Sequence, residues 1–213
     1  MKLRLSITRG LAACLALLGL AAVPATAQPA TLESLLARFA ALPGLEARFR
    51  EEKRIALLAV PVESEGRIWF AHPDRLMRRV ERPDPSAALI AAGQLRMHSG
   101  GRTEELSIDG NPVLRGFVES FRAVLAGDRA TLERYYEARL TPGEGDAWTL
   151  ALAPRDRALR GFVSTIEMRG RGVSMERMRM VEVSGDETIT TFSDVVTDRR
   201  FGDAEARRIF RIP

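Results

Sequence analysis

Leu45-Glu46-Ala47-Arg48-Phe49-Arg50 alternates apolar and charged side chains. A period of two sends successive residues to opposite faces of an extended chain, so this stretch reads as a strand with one face buried and the other in water. Just upstream the period is different. Leu32, Leu35, Leu36, Phe39 and Leu42 recur at helical spacing behind Thr31, a residue able to cap a helix, and Pro43-Gly44 stops the pattern. The change of period at Leu45 therefore marks the passage from one short amphipathic helix into sheet.

Downstream, further strands are predicted around 66–70, 76–80, 94–98 and 104–108, with Gly, Pro or Asp between them. Asn111 then caps a second helix with Pro112 at its first position; Leu114, Phe117, Val118, Phe121 and Leu125 line one face before Gly127 ends it. A short helical turn is expected from Asp128 towards Tyr135. The rest reads as strand at 136–140, 148–152, 163–168, 175–183, 188–192 and 208–212, with glycine turns at 142–145, 170–172 and 184–186. Many short strands with two or three helices imply one antiparallel sheet rolled around a core that the helices cover, an α+β chain that is mainly β.

Ahead of the helix, Lys2, Arg4 and Arg9 precede an apolar run from Leu11 to Ala22, then Pro24 and Ala25-Thr26-Ala27. That is the pattern of a secretory signal, giving a leader over 1–27 and a single domain over 28–213. The apolar run falls short of the roughly 20 residues that span a bilayer, so the mature chain is expected to be soluble and periplasmic. Leu11-Ala12-Ala13-Cys14 has the letters of a lipoprotein cleavage box, but the apolar core follows the cysteine instead of preceding it. With Cys14 in the leader, the mature chain has no disulfide available. The net charge of +4 falls to +1 once the three leader cations are gone. Neither a basic tail nor a basic stripe remains, which with export argues against nucleic acid as a partner.

The residues offer little for catalysis. His72 and His98 are the two histidines, neither in a helical metal pair, so a metal centre is not expected. No Gly-x-Ser-x-Gly elbow, Ser-x-x-Lys pair or glycine-rich phosphate loop is present. Adjacent carboxylates such as Glu51-Glu52 and Glu104-Glu105 point to opposite faces of a strand and read as solvated charges. What is abundant is apolar and soft: Met77, Met97, Met168, Met175, Met178 and Met180, with Trp69, Trp148, Phe162 and Phe192. Thioethers repack around ligands of varied shape. The same residues would also serve as plain core, and composition leaves both readings open.

The stretch Gly66-Arg67-Ile68-Trp69-Phe70-Ala71-His72-Pro73-Asp74-Arg75-Leu76-Met77-Arg78-Arg79-Val80, with Pro83 beyond it, resembles the hallmark segment of the periplasmic outer-membrane lipoprotein carriers of the LolA type. The opening helix leading into Leu45–Lys53, Trp148 through Pro154, Phe162 to Met168, and Phe201 through Phe210 to Pro213 follow in the order that family shows. The resemblance runs over residues 31 to 213. It implies an incomplete antiparallel β-barrel, a half-barrel, whose concave apolar face is closed by a helical lid. It also implies a carrier without a chemical step or cofactor, which holds acyl chains of a lipoprotein or lipid. Such a carrier is loaded by an inner-membrane exporter, unloaded at an outer-membrane acceptor, and expected to be a monomer.

By that resemblance Trp69, Leu76, Ile166, Met178, Met180 and Phe192 are expected to line the lipid cavity, and Leu114, Phe117 and Phe121 the lid. His72 stands where the family has an arginine that latches the lid to helix backbone. A neutral imidazole has a single N–H where arginine has a fork of donors, so the latch would be weaker and pH-sensitive. The segment 94–109 also departs from the family pattern. The alternatives are therefore a carrier of another lipid-like product, or a non-transporting sensing or interaction domain on the same fold.

Overall fold

The computed structural model describes residues 31–212. The expected leader, Cys14 and the side chain of Phe117 lie outside the described residues. The Thr31 hydroxyl accepts the Ser34 N–H at 3.1 Å and the Ser34 hydroxyl accepts the Thr31 N–H at 2.9 Å. This reciprocal cap starts α1, Leu32–Ala40. It buries Leu35, Leu36 and Phe39 and leads into β1, Gly44–Arg54, in which Leu45, Ala47 and Phe49 are buried and Arg48 and Arg50 exposed.

Successive hairpins give β2 (Val62–Ala71), β3 (Arg75–Arg82), β4 (Ser86–Ala91), β5 (Gln94–Ser99) and β6 (Arg102–Ser107). Then come α2 (Pro112–Ala126) and α3 (Arg129–Tyr135), followed by β7 (Tyr136–Pro142) and β8 (Ala147–Pro154). A four-residue helix α4 (Arg157–Arg160) precedes β9 (Val163–Arg171), β10 (Ser174–Glu182), β11 (Glu187–Val196) and α5 (Asp203–Ile209). Asn111 Oδ1 caps α2 by accepting the Leu114 N–H at 3.0 Å, as its sequence position predicts.

The strands form one eleven-stranded antiparallel sheet in the order β6-β5-β4-β3-β2-β1-β11-β10-β9-β8-β7. Each half is a meander of sequence neighbours. The pairing of β1 with β11 joins the halves and sets Phe49 opposite Phe192. β6 and β7 are free edges, so the sheet is an open half-barrel, the mainly β architecture the sequence implied. Connectivity explains where the helices lie. α2 and α3 link the two free edges, so the chain must cross the open side of the sheet there.

The alternation of each strand divides the sheet into two apolar faces. Ile68, Phe70, Leu76, Leu150, Leu152, Ile166 and Met168 share the concave core with α1 and with Ala123, Val124 and Leu125 of α2. On the convex face Trp69, Met77, Ala87 and Leu89 pack with Ile209 of α5, flanked by Phe201, Phe210 and Ile212. Gly66 and Gly127 are among the glycines set by close approach. A Cβ on Gly66 would stand 1.9 Å from the Arg79 carbonyl oxygen, at the register shift beside Glu65. Gly127 ends α2 at φ +70°, where a Cβ would meet the Leu36 carbonyl oxygen of α1 at 2.5 Å.

The segment 208–212, expected as strand, is instead the end of α5 and the coil after it. Asp203 and Glu205 at the first turn and Arg207 and Arg208 at the last complement the helix dipole, and Ala206 and Ile209 bury one face. β4 and α4 are additional to the expected elements. Alanine-rich Ser86–Ala91 alternates in burial but barely in hydropathy, and one turn of α4 is too short to show a period.

Candidate functional site

A cavity of about 320 Å³ lies between the middle of the sheet and α2. Its walls come from seven strands: Phe49 and Glu51 of β1, Ile68 of β2, Leu76 and Arg78 of β3, Ala88 and Ile90 of β4, Leu95 and Met97 of β5, Met178 and Met180 of β10, and Thr188, Thr190 and Phe192 of β11. Leu114, Val118 and Phe121 of α2 close it from the other side. Spacing by two within each strand puts these residues on the concave face. A smaller void of about 20 Å³ shares Ile68, Leu76, Phe121 and Phe192 with it and continues towards Phe39 of α1 and Leu125 of α2.

Besides Thr188, a polar cluster interrupts the apolar lining. The Glu51 carboxylate accepts a hydrogen bond from Arg78 Nη2 at 2.8 Å and another from the Thr190 hydroxyl at 3.1 Å. The Arg78 guanidinium also lies 4.3 Å from the centre of the Phe49 ring, within cation–π range. Both charges of the pair are partly exposed, so water and their mutual bonds offset the cost of placing them beside hydrocarbon. Further along the same face Lys53 Nζ donates to Glu182 at 3.2 Å.

The structure brings Leu76, Met178, Met180, Phe192, Leu114 and Phe121 around this one space. Ile166 lies on the same face of the sheet, opposite Met180 on β9, but is buried in the core beside the cavity instead of lining it. Trp69 is a correction. It faces the convex side, opposite Met77, where α5 covers it. Its three-residue apolar run Ile68-Trp69-Phe70 hides the phase of the strand, and the pairing of Phe70 with Leu76 sets Trp69 on the other side.

His72 also departs from expectation. Its ring meets Phe70 edge-on at 4.9 Å, and its Nε2 is buried with no hydrogen-bond partner, so no bond to helix backbone is formed among the described residues. Conversely, Glu51, expected as a solvated charge, is half-buried on the cavity wall with Arg78 and Thr190, for which no role was expected. The signal was available in the spacing, since Glu51 is two residues from buried Phe49 and Arg78 two from Leu76. Among the described residues no three His, Cys, Asp or Glu side chains are grouped to hold a metal ion. No described helix is long and apolar enough to cross a membrane.

Residues 22–209 match the family model of outer membrane lipoprotein carrier protein LolA-like sequences. The search of curated proteins found no match. Solved structures of similar fold include a LolA superfamily protein from Nitrosomonas europaea, 12% identical, covering 82% of this chain and 96% of that one with a TM-score of 0.43. A chain of the MucA/MucB complex of Pseudomonas aeruginosa is 18% identical, covering 82% of this chain and 60% of that one, with a TM-score of 0.49. The Mycobacterium tuberculosis lipoprotein LppX is 10% identical, covering 81% and 98%, with a TM-score of 0.45.

Proposed function

The chain belongs to the LolA-like family of outer membrane lipoprotein carrier proteins, and we propose that it is a periplasmic carrier that shields acyl chains of a lipoprotein or another lipid between the inner and outer membranes, with no chemical step. The observation that carries this reading is the cavity between sheet and α2, about 320 Å³ with walls that are apolar apart from Thr188 and the Glu51–Arg78–Thr190 group. Leu76, Met178, Met180 and Phe192 contact the acyl chain from the sheet, while α2 covers it with Leu114 and Phe121. Ile166 backs this wall from the core.

Burial of each methylene stabilises by about 0.8 kcal/mol. Eight methylenes therefore supply roughly 6 kcal/mol of transfer free energy, against which the cost of association is set. Arg78 and Glu51 stand where the polar end of such a ligand leaves the apolar wall, where Arg78 can donate to an ester or phosphate oxygen and the Glu51 carboxylate can accept from a glyceryl hydroxyl. Loading by an inner-membrane exporter and unloading at an outer-membrane acceptor complete the cycle, since a carrier releases its ligand only to a state or site that binds it better.

Native mass spectrometry of the protein purified from its own host's periplasm, followed by organic extraction, tests the reading. A stoichiometric acylated species is expected, and its identity separates lipoprotein from free lipid cargo. A protein that arrives empty and also takes up no fluorescent fatty-acyl probe would reject it.

A further inference from the structure

Leu57, Leu58, Val60, Val62, Phe162 and Val183 are large apolar residues exposed to solvent, Leu57 to 94% and Phe162 to 58%. All six lie at one end of the sheet. Leu57, Leu58 and Val60 sit in the loop 55–61 between β1 and β2, and Val62 opens β2; Val183 follows the last residue of β10, and Phe162 precedes the first of β9. The register places these points together, with Arg54 opposite Glu187, Val181 opposite Glu187 and Glu182 opposite Val163. Two hydrogen bonds tie them: Ala56 N–H donates to Asp186 Oδ1 at 2.9 Å and Val183 N–H to the Phe162 carbonyl at 2.8 Å.

The cavity points the same way. At the start of β1 it narrows against Phe39 and Leu125. Towards the end of β1 its lining becomes polar, with the partly exposed Glu51 and Arg78 beside buried Thr188 and Thr190, a few positions from the apolar tips. We propose that this end of the molecule is a membrane-docking tip. The loop 55–61, with Val62, Phe162 and Val183 beside it, enters the interfacial layer of a lipid leaflet and holds the mouth of the cavity against it, so that an acyl chain passes between leaflet and cavity without crossing water. The mouth's role in transfer rests on the carrier reading above.

A leaflet fits better than a protein partner for two reasons. Ile55-Ala56-Leu57-Leu58-Ala59-Val60-Pro61-Val62 has eight residues without a polar side chain, and a fluid interface accepts a projecting apolar segment to a depth of about 5–10 Å without shape complementarity. Around the loop, Lys53 pairs with Glu182 and Arg54 with Glu52 and Glu187, and Asp186 accepts the Ala56 N–H, so the charges that flank the apolar segment are largely satisfied within the molecule. Association is accordingly apolar in origin and insensitive to salt.

The test is flotation of the full protein with phosphatidylcholine vesicles and with vesicles containing phosphatidylglycerol, at low and high salt. Wild type is expected to float with both at either salt concentration. Leu57→Asp/Leu58→Asp should weaken vesicle binding at least about tenfold and leave the thermal unfolding midpoint unchanged, because these side chains support no core. Leu106→Asp, an equally simple change at an exposed leucine on the edge strand β6, should bind as wild type. The proposal is overturned if wild type floats with neither vesicle, if Leu106→Asp loses as much, or if binding needs phosphatidylglycerol and vanishes with salt. Uptake of a soluble fluorescent fatty acid separates the two readings. Uptake retained by Leu57→Asp/Leu58→Asp with flotation lost supports docking. Wild type that takes up the probe but does not float overturns docking alone, and wild type that floats without uptake supports docking while the carrier reading fails.

Discussion

Phe192 pairs across the sheet with Phe49 and lines the cavity between the two meanders. Phe192→Asp puts a charge into the apolar space and is expected to lower uptake of a fluorescent fatty acid by more than tenfold, whereas Phe192→Leu should retain most of it. Glu51 and Arg78 behave as a unit. Arg78→Met leaves Glu51 with the Thr190 hydroxyl alone and should cost about 1 kcal/mol in urea unfolding, a value kept small by the partial exposure of the pair. The double change Glu51→Gln/Arg78→Met should recover part of that loss. Tyr136 offers a pH readout. Its phenol is buried with no hydrogen-bond partner, and burial pushes it up to about 12, with the nearby Ser120 hydroxyl opposing in part. A raised value means that the neutral phenol stabilises the fold fully below 10, the ordinary tyrosine value, and that this contribution is lost as the pH rises towards 12. Tyr136→Phe should therefore match or exceed wild-type stability at pH 7 and lose less of it between pH 10 and 12, measured by chemical denaturation.

The helices divide into one that covers the cavity and others that anchor it. α2 packs on α1, where Gly127 allows the close approach, and α3 follows directly behind it. The Asp128 carboxylate starts α3 by accepting the Thr131 N–H at 3.0 Å together with the Thr131 hydroxyl, and these bonds hold its pKa below the ordinary value of 3.8. The depressed value places the stabilisation above pH 3.8 and removes it as the pH falls through the lower folded value. Asp128→Ala should cost about 1 kcal/mol at pH 7, with the difference from wild type shrinking in strong acid. If α2 is the movable cover, hydrogen exchange across 112–126 should slow when a fatty acid is bound while that of β1 and β11 stays unchanged. On the other face α5 covers Trp69 and Met77. In a Trp148→Phe background, ending the chain at Arg200 should shift the emission of Trp69 to the red and lower stability by exposing that cluster.

For the molecule as a whole, an open sheet with two free edges is a hazard that the sequence manages. Edge strand β6 is exposed along its length and carries Arg102, Glu104 and Glu105, charges that oppose edge-to-edge pairing. Leaving the sheet open is also what gives the cavity its place, because a closed barrel of inward side chains would fill the space that α2 now covers. The alternation at Leu45–Arg50, the caps at Thr31 and Asn111 and the glycine turns were enough to read a mainly β chain with helices at its start and middle, because each of these signals is local. Spacing within one element groups Met178 with Met180 and Leu114 with Phe121, whereas bringing Leu76 and Phe192 to the same face was an expectation from the family resemblance. What tertiary structure alone decided depends on contacts between residues far apart in the chain. Pairing of β1 with β11 sets which residues meet in the middle of the sheet. Register fixes the phase of Ile68-Trp69-Phe70 and turns Trp69 away from the cavity, since an unbroken apolar run has two possible faces and one residue of slip exchanges them. The same long-range packing makes a helix of Asp203–Ile209 over the convex cluster and turns Glu51 from an expected surface charge into a partner for Arg78.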